Sequence, residues 1–558
     1  MSQEACYDVI VIGSGAAGSM AAKELGEQGV RVLLLEAGRD VSPEDAPGAD
    51  RSAPKHGPHL LDRAIASLCG QPLQARVAFF KARSKRFLVN DLAHRYLTPA
   101  NLPFLWIRGR QVGGRLHVYG RVLQRWSDHE FKRSAGARCA PWPIAYDELA
   151  PFYDKAERVL ALHGNRDGAA TAPDGIMAGP SPLTEAESGF KAVVEARWPD
   201  RRVIAWRQAP PDEGPLPQAL VDALASGHVT LRANAIAAEI LTDPETRLAR
   251  GVRFVDRITR QHHCVFAKAV MICASPIESI RLMLNSRSPR HPDGIGNTSG
   301  LLGRYFMDQP AALVLARFAG GDGIWRPDDV PSLPRIGTTG GVFVLRSSED
   351  AAGRLGCSYQ GSIGRSPHVR PSRTRDASFM AFGEMLPHAD NRISLHATRR
   401  DGLGIPVPII SCALHDEERA AIPGQIANMV AMIEASGGKV TGWVSPLGLE
   451  QRGEGIYREL NPIPRWIVRK MLPSSFVMGA AIHESGGARM GDDPAQSVLN
   501  RFNQCWDAPN LFVTDASAFP TSGVMGTTLT IMALSLRACG RLVEQLRHGE
   551  FCAEASVI

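Results

Sequence analysis

The sequence predicts an α/β protein: a doubly wound domain on a parallel sheet, joined to a second domain on a mostly antiparallel sheet with helices. Three observations predict it. A β-branched run meets a glycine turn and a helical stretch within the first 28 residues. A second glycine- and serine-rich block, with its own strand and long helix, lies near the C-terminus. Between them, from about 311 to 480, the pattern changes to separated β runs interrupted by one helix.

Tyr7 to Ile12 (YDVIVI) reads as the first strand, followed by Gly13-Ser14-Gly15-Ala16-Ala17-Gly18 and an alanine-rich helix to about Gln28. A second strand, Arg31 to Leu35, ends at Glu36. Strand, G-x-G-x-x-G, helix, strand, acid is the order that a Rossmann-like dinucleotide site requires. Gly13 permits the tight turn, Gly15 lets backbone approach a pyrophosphate, and Gly18 lets the helix pack closely on the strand. Ala16 and Ala17 open the helix, whose N-terminal N–H groups and dipole suit phosphates. Glu36 can accept hydrogen bonds from an adenosine ribose, and a carboxylate there disfavours a 2′-phosphate. The fingerprint does not by itself separate FAD from NAD.

Residues 39–75, rich in Pro, Gly, Ser and His, are expected to form a surface excursion. Trp106 to Trp126 holds a second glycine turn, Gly113-Gly114. Tyr146 to Leu162 has helical spacing, and 164–186 has the composition of a linker. Val229 to Glu239, Gly251 to Val255 and Val265 to Cys273 alternate like strands and lead through Ala274-Ser275-Pro276 into a helix to Leu284. Ala312–Phe318, Gly341–Leu345 and Arg392–His396 are the clearest later β runs, and Glu417 to Glu434 the intervening helix. Asn510 to Thr514 is a short strand ending at Asp515, and Thr527 or Thr528 can cap a helix to about Leu546.

Hydrophobic residues make up 44% of the 558 and charged residues 22%, which is ordinary for a globular chain of this length. A formal charge of +6 is too small for a dedicated nucleic-acid surface. The densest basic stretch, Lys81 to Arg86, reads as a solvated segment. The ten cysteines contain no C-x-x-C, so no metal or cluster spacing is expected, and free thiols fit a reducing compartment. The first strand begins too early for a signal peptide, and no apolar segment reaches the ~18 residues of a spanning helix. A cytoplasmic location is therefore expected, with a membrane-bound partner subunit still compatible.

Several ordered motifs then match a family. The fingerprint with LLLEAG, RGRQVGG, ASPIES, GRYFMDQP, HESGGARMG and NLFVTDASAFP…TLTIMALSLRA resembles the glucose–methanol–choline (GMC) flavoprotein oxidoreductases. The C-terminal motifs resemble most its bacterial sugar-dehydrogenase and pyranose-oxidising branch. The resemblance runs from residue 7 to about 545 and is thin over 160–225 and 311–470. It implies noncovalent FAD in the first fingerprint, with Gly113 and Gly114 beside the flavin, Ala274 in the cofactor cleft, and Asp515 near the ribityl–pyrophosphate region. The helix starting at Thr527 or Thr528 would point its dipole at the flavin N1/O2 edge. It also implies a discontinuous FAD-binding domain, 1–163, 226–310 and 481–558, with 164–225 and 311–480 forming linker and substrate domain.

The implied activity is oxidation of an alcohol (a sugar, glycoside or polyol), with hydride transfer to flavin N5 and His483 as the base. Glu484 and Arg489 are weaker candidates that orient the loop. Three departures from the family pattern stand out. Gly526 occupies the position of a second His or Asn. His117 is displaced by one residue from a flavin-linking histidine. Gln309 stands where many relatives have His. The missing partner at 526 admits a side chain such as His388, His396 or His415 in its place, or a non-redox lyase or cyclase reaction on the same fold. Substrate identity, electron acceptor (oxygen, quinone or protein) and oligomeric state are left open by the sequence.

Overall fold

The computed structural model describes residues 7–47, 59–78, 80–132, 140–320, 330–346, 355–365, 374–458 and 460–551. Its first sheet is built around Tyr7–Ile12. That strand pairs in parallel with Val32–Leu35 on one side (Val9 opposite Val32) and with His262–Ile272 on the other (Tyr7 opposite Ala267). Val229–Arg232 extends the first side and Ala508–Val513 the second, both in parallel. The strand order therefore reverses at Tyr7–Ile12, and a ligand crevice is expected beyond its carboxyl end, where Gly13 stands.

Both faces of this sheet are covered, as a parallel sheet requires. Successive side chains point to opposite faces. Val9 and Val11 pack with Ala21, Leu25, Ala538 and Leu542, from the helices Ala16–Glu27 and Thr528–Arg547. Ile10 and Ile12 belong to the core on the other face, with Ile277 and Ile280 of the helix Pro276–Asn285. Each fully buried Leu, Ile or Met contributes about 1.5–3 kcal/mol through apolar burial. The first and last helices of the chain thus lie side by side, and Ser535 Oγ donates to the carbonyl of Ala17 at 2.9 Å.

The second sheet has seven strands, every neighbouring pair antiparallel: Gly448–Gln451, Lys439–Ser445, Ala311–Ala319, Thr374–Gly383, Cys357–Ile363, Val342–Arg346 and Arg201–Ala205. Ala312, Val314 and Ala316 face a core shared with the helices Glu185–Arg197 and Asp416–Ala435. Ala311 and Leu313 face Val468, Leu472 and Phe476 of the helix Pro462–Ser475 and its end. The α/β class with one parallel and one antiparallel sheet is as the sequence predicts.

Several elements differ from expectation. Val229 to Glu239 is two strands, because Asn234 turns through a left-handed conformation (φ 59°) and Ala235–Thr242 leaves as an antiparallel neighbour of Ala249–Asp256. Arg392–Arg400 pairs with Pro406–Ser411 in a separate ribbon instead of joining the second sheet. The linker expected over 164–186 gives way at Glu185 to the helix Glu185–Arg197, which with Arg201–Ala205 is built into the second sheet's layer. The helix Gln218–Ala225, expected with the substrate domain, packs instead on Ala16–Glu27 through Leu220 and Ala223, because its apolar face completes that core. The excursion 39–75 includes a short 3-10 turn and the helix Leu60–Leu68; residues 48–58 lie outside the described residues.

Candidate active site and dinucleotide cradle

The first half of the site is backbone. Gly13 has φ 96°, and a Cβ there would stand 2.6 Å from the carbonyl oxygen of Cys273 and 3.2 Å from the Cα of Ala274. A Cβ on Gly18 would stand 1.8 Å from the Gly13 carbonyl oxygen, so helix and turn touch directly. A Cβ on Gly15 would meet nothing within 4 Å, so this glycine borders open space at the N-terminus of Ala16–Glu27. Gly113 and Gly114 (φ 87° and 53°) lie against it: a Cβ on Gly114 would be 3.3 Å from the Gly15 Cα. Gly13, Gly15, Ala16, Ala17, Gly18, Gly113, Gly114 and Ala274 are thereby brought to one cleft.

Ser14, which the sequence reading passed over, ties this cleft together. Its hydroxyl donates to Glu36 Oε2 (2.5 Å) and accepts from the Gly113 N–H (3.0 Å). Glu36 also accepts from the N–H groups of Ser14 and Gly38. Burial raises its pKa, while these three donors favour the carboxylate. Asp515 lies beyond Ala508–Val513 and accepts from the Ser517 N–H (2.9 Å) and from the hydroxyls of Ser517 and Ser279. Ser279 belongs to the helix that follows Ala274, so the end of the last strand is tied here to the helix Pro276–Asn285. Thr527 and Thr528 stand at the start of the last helix, which no side chain caps.

The second half surrounds His483. Its Nδ1 lies 2.7 Å from Gln309 Oε1, and its ring is 5.1 Å from that of Phe382, at the end of a second-sheet strand. A Cβ on Gly526 would lie 3.6 Å from His483 Nε2, at ordinary contact distance. Position 526 therefore faces the second ring nitrogen, and glycine leaves that side uncovered. Buried Asp308 accepts from the N–H of Gly479 (2.7 Å) and of His483 (3.1 Å). It clamps a turn in which Ile482 has φ 61°, a conformation that a β-branched residue holds only under constraint. Burial and neighbouring Glu484 push the Asp308 carboxyl up to about 7. Burial, then the Arg115 guanidinium, push the His483 imidazole down to about 4, so its ring is neutral at pH 7.

Arg115 joins both halves, donating to Glu484 Oε2 (2.8 Å) and Ser275 Oγ (2.9 Å). Glu484 therefore orients the loop. Arg489 stacks on Tyr305 (3.8 Å to the ring centre) and donates to the Gln496 carbonyl, so it braces the outer part of the same segment. The three histidines considered as substitutes for the partner at 526 have other contacts. His388 stacks on His415 (3.6 Å) and meets Glu418, while His396 holds the backbone of Thr398 and Arg399. His117 stacks on Phe87, with Nε2 2.8 Å from the Val112 carbonyl oxygen.

This cradle fits a dinucleotide. Open space borders Gly15 alone among the fingerprint glycines, and a buried acid ends the second strand. With a histidine set close to the end of the last helix, fold and site define a flavin-dinucleotide oxidoreductase. Residues 387–535 match the GMC oxidoreductase C-terminal model, and 6–49 match the FAD binding domain model. The chain belongs to the GMC oxidoreductases and binds FAD.

Among curated proteins the chain is 26% identical to 2-methyl-1,2-propanediol dehydrogenase of Mycolicibacterium austroafricanum, over 95% of this chain and 94% of that one. It is 25% identical to the fructose dehydrogenase large subunit of Gluconobacter japonicus (97% and 98%) and 28% to paromamine 6′-oxidase of Streptomyces fradiae (97% and 92%). Its fold is similar to that of pyridoxine 4-oxidase from Mesorbium loti, with TM-score 0.59 at 17% identity over 97% of this chain and 99% of that one. No helix among the described residues is long and apolar enough to cross a membrane.

Proposed function

We propose that this protein oxidises an alcohol group on a sugar, glycoside, polyol or similar small molecule, with His483 as the base. The observation that carries the reading is the His483 ring: neutral at pH 7, held through Nδ1, with Nε2 turned toward the uncovered side at Gly526. The named activities of the full-length relatives support the substrate class, and we place the protein nearest their bacterial sugar- and glycoside-oxidising members.

In this reading Gly13, Gly15, Ala16, Ala17 and Gly18 hold the pyrophosphate, and Glu36 the adenosine ribose. Gly113, Gly114, Ala274 and Asp515 line the middle of the cofactor, and Thr527 and Thr528 present the helix end to the flavin ring. When bound, FAD supplies the acceptor for the carbinol hydride. The chain's own residues supply the rest. His483 Nε2 takes the hydroxyl proton, and the positive end of the Thr528–Arg547 helix stabilises negative charge opposite it. Asp308 and Gln309 fix the ring's position. The His117 ring is engaged by the Val112 carbonyl and Phe87, which supports noncovalent FAD.

We assign the FAD-binding domain to 1–163, 218–310 and 481–558, and the remainder to the substrate domain. The seven described cysteines are free thiols, which supports a reducing compartment, and we propose the cytoplasm.

The test is anaerobic mixing of the yellow protein with a panel of alcohols and sugars. Bleaching of the flavin band by at least one of them is expected. Its rate is expected to fall as the pH drops through about 4, where His483 gains its proton. A band that dithionite bleaches and no alcohol does would overturn the reading. It would favour the non-redox lyase or cyclase alternative, which Gly526 motivates.

Gly526→Asn is a second check. The added side chain meets His483 at contact distance, and its amide can hydrogen-bond a substrate oxygen beside Nε2. On a small alcohol that fits with either residue, bleaching is expected to quicken, by up to ~10²-fold. An unchanged rate would place the second hydrogen bond elsewhere.

A further inference from the structure

Gln309 is buried, and its side chain is contacted at both ends. Nε2 lies 3.0 Å from the carbonyl oxygen of Ser522, 3.1 Å from that of Gly523 and 3.0 Å from that of Met525. Oε1 lies 2.7 Å from His483 Nδ1. Carbonyl oxygens only accept, so the end facing three of them must be the NH₂ group. Turning the amide around would set Oε1 against three oxygens, of which Gly523 O alone keeps a donor in the Ser522 hydroxyl (3.2 Å). The end facing His483 is therefore an acceptor, and the Nδ1 it meets must carry the proton.

We propose that Gln309 is a positioning residue that locks His483 in the Nδ1–H tautomer, leaving the lone pair on Nε2 toward the substrate side. The inference rests on the reading of His483 as the base and adds what selects its reactive nitrogen. In water a neutral imidazole exchanges between two tautomers, and only one of them is productive here. A neutral amide sets the tautomer without stabilising imidazolium, as a carboxylate at the same distance would. Histidine stays an unprotonated acceptor, and its hydrogen-bond partner contributes no charge. The same amide gathers the 522–525 loop, which leads into Gly526 and the last helix. One side chain thus sets both the base and the wall opposite it.

Selective ¹⁵N labelling of histidine, with the His483 signals assigned by their loss in His483→Asn, reads the tautomer without any turnover. The wild-type protein is expected to show a protonated Nδ1 and an unprotonated Nε2 at neutral pH. Gln309→Met, of similar length, removes the acceptor: the His483 signals are expected to move toward a tautomer mixture. Anaerobic flavin reduction at saturating alcohol should slow ~10²-fold while KM changes little. Gln309→Glu restores an acceptor. It should recover the Nδ1–H signature and most of the rate in its neutral acid form, whose O–H takes the place of the NH₂ group against the three carbonyl oxygens.

Retention of the Nδ1–H signature in Gln309→Met, or a switched tautomer with an unchanged rate, would overturn the proposal. If Gln309→Met does not fold, the Glu variant decides: a His483 tautomer mixture with a wild-type rate overturns it. Should His483→Ala reduce flavin within about threefold of wild type, the base assignment falls instead, and the nitrogen shifts still report on the lock.

Discussion

His483→Ala is expected to slow anaerobic flavin reduction by ~10²-fold or more at saturating alcohol. It should also abolish the fall in rate near pH 4, because the titrating group is gone. Stability should change little. The half-buried side chain makes one hydrogen bond, to Gln309, and such a bond contributes about 1 kcal/mol. FAD content and unfolding temperature therefore serve as controls for a rate effect that is chemical. Added imidazole should recover part of the rate by entering the space left beside Gly526. A variant that reduces flavin at the wild-type rate, with its acid limb intact, would move the base to another residue.

Gly18→Ala should damage the cofactor site most severely. The methyl group would lie 1.8 Å from the Gly13 carbonyl oxygen and 2.9 Å from its carbon, both backbone atoms that cannot swing aside. Strand turn and helix must separate, at a cost of about 1–3 kcal/mol or more. Purified protein is expected with a lowered unfolding temperature and little bound FAD. Gly15→Ala is the matched contrast, since its methyl meets no protein atom within 4 Å. The apoprotein should keep its unfolding temperature while FAD binding weakens, because the methyl fills the space that the pyrophosphate approaches. Equal FAD affinity in Gly15→Ala and wild type would remove the pyrophosphate from this position.

The contrast between these glycines shows what the sequence can express. Each fingerprint glycine answers a constraint set within a few residues, by a strand before it and a helix after it, so spacing alone reveals it. Glu36 is legible for the same reason, as the residue that ends the next strand. Gln309 is legible only as a departure from a pattern. Its function depends on three carbonyls 213 to 216 residues later and on a ring 174 residues later. Ser14 gave no signal, since any small residue fits between the glycines and its bonds reach Glu36 and Gly113. The two strands within 229–242 looked like one because the alternation of side chains carries across Asn234. Arg201–Ala205 drew no reading from its own residues: it gains its place only by pairing with Val342–Arg346, far along the chain. The histidines at 388, 396 and 415 drew attention by residue type, and their contacts lie with Glu418, each other and a local loop.

The adjacency of the first and last helices also sets an order of events during synthesis. Val270–Ile272 offers one edge to Leu511–Val513, which is made some 240 residues later. At ribosomal speeds of about 5–20 residues per second, that edge waits roughly 10–50 s for its partner. The grip on adenosine can form on the nascent chain, whereas the frame for the flavin ring is completed only after release of the C-terminal helix. A chain that stops short of Ala508 would leave both an open sheet edge and half a cofactor cleft. Cofactor loading is in this way coupled to synthesis of the helix Thr528–Arg547, and a flavin held at full occupancy reports that translation has passed it.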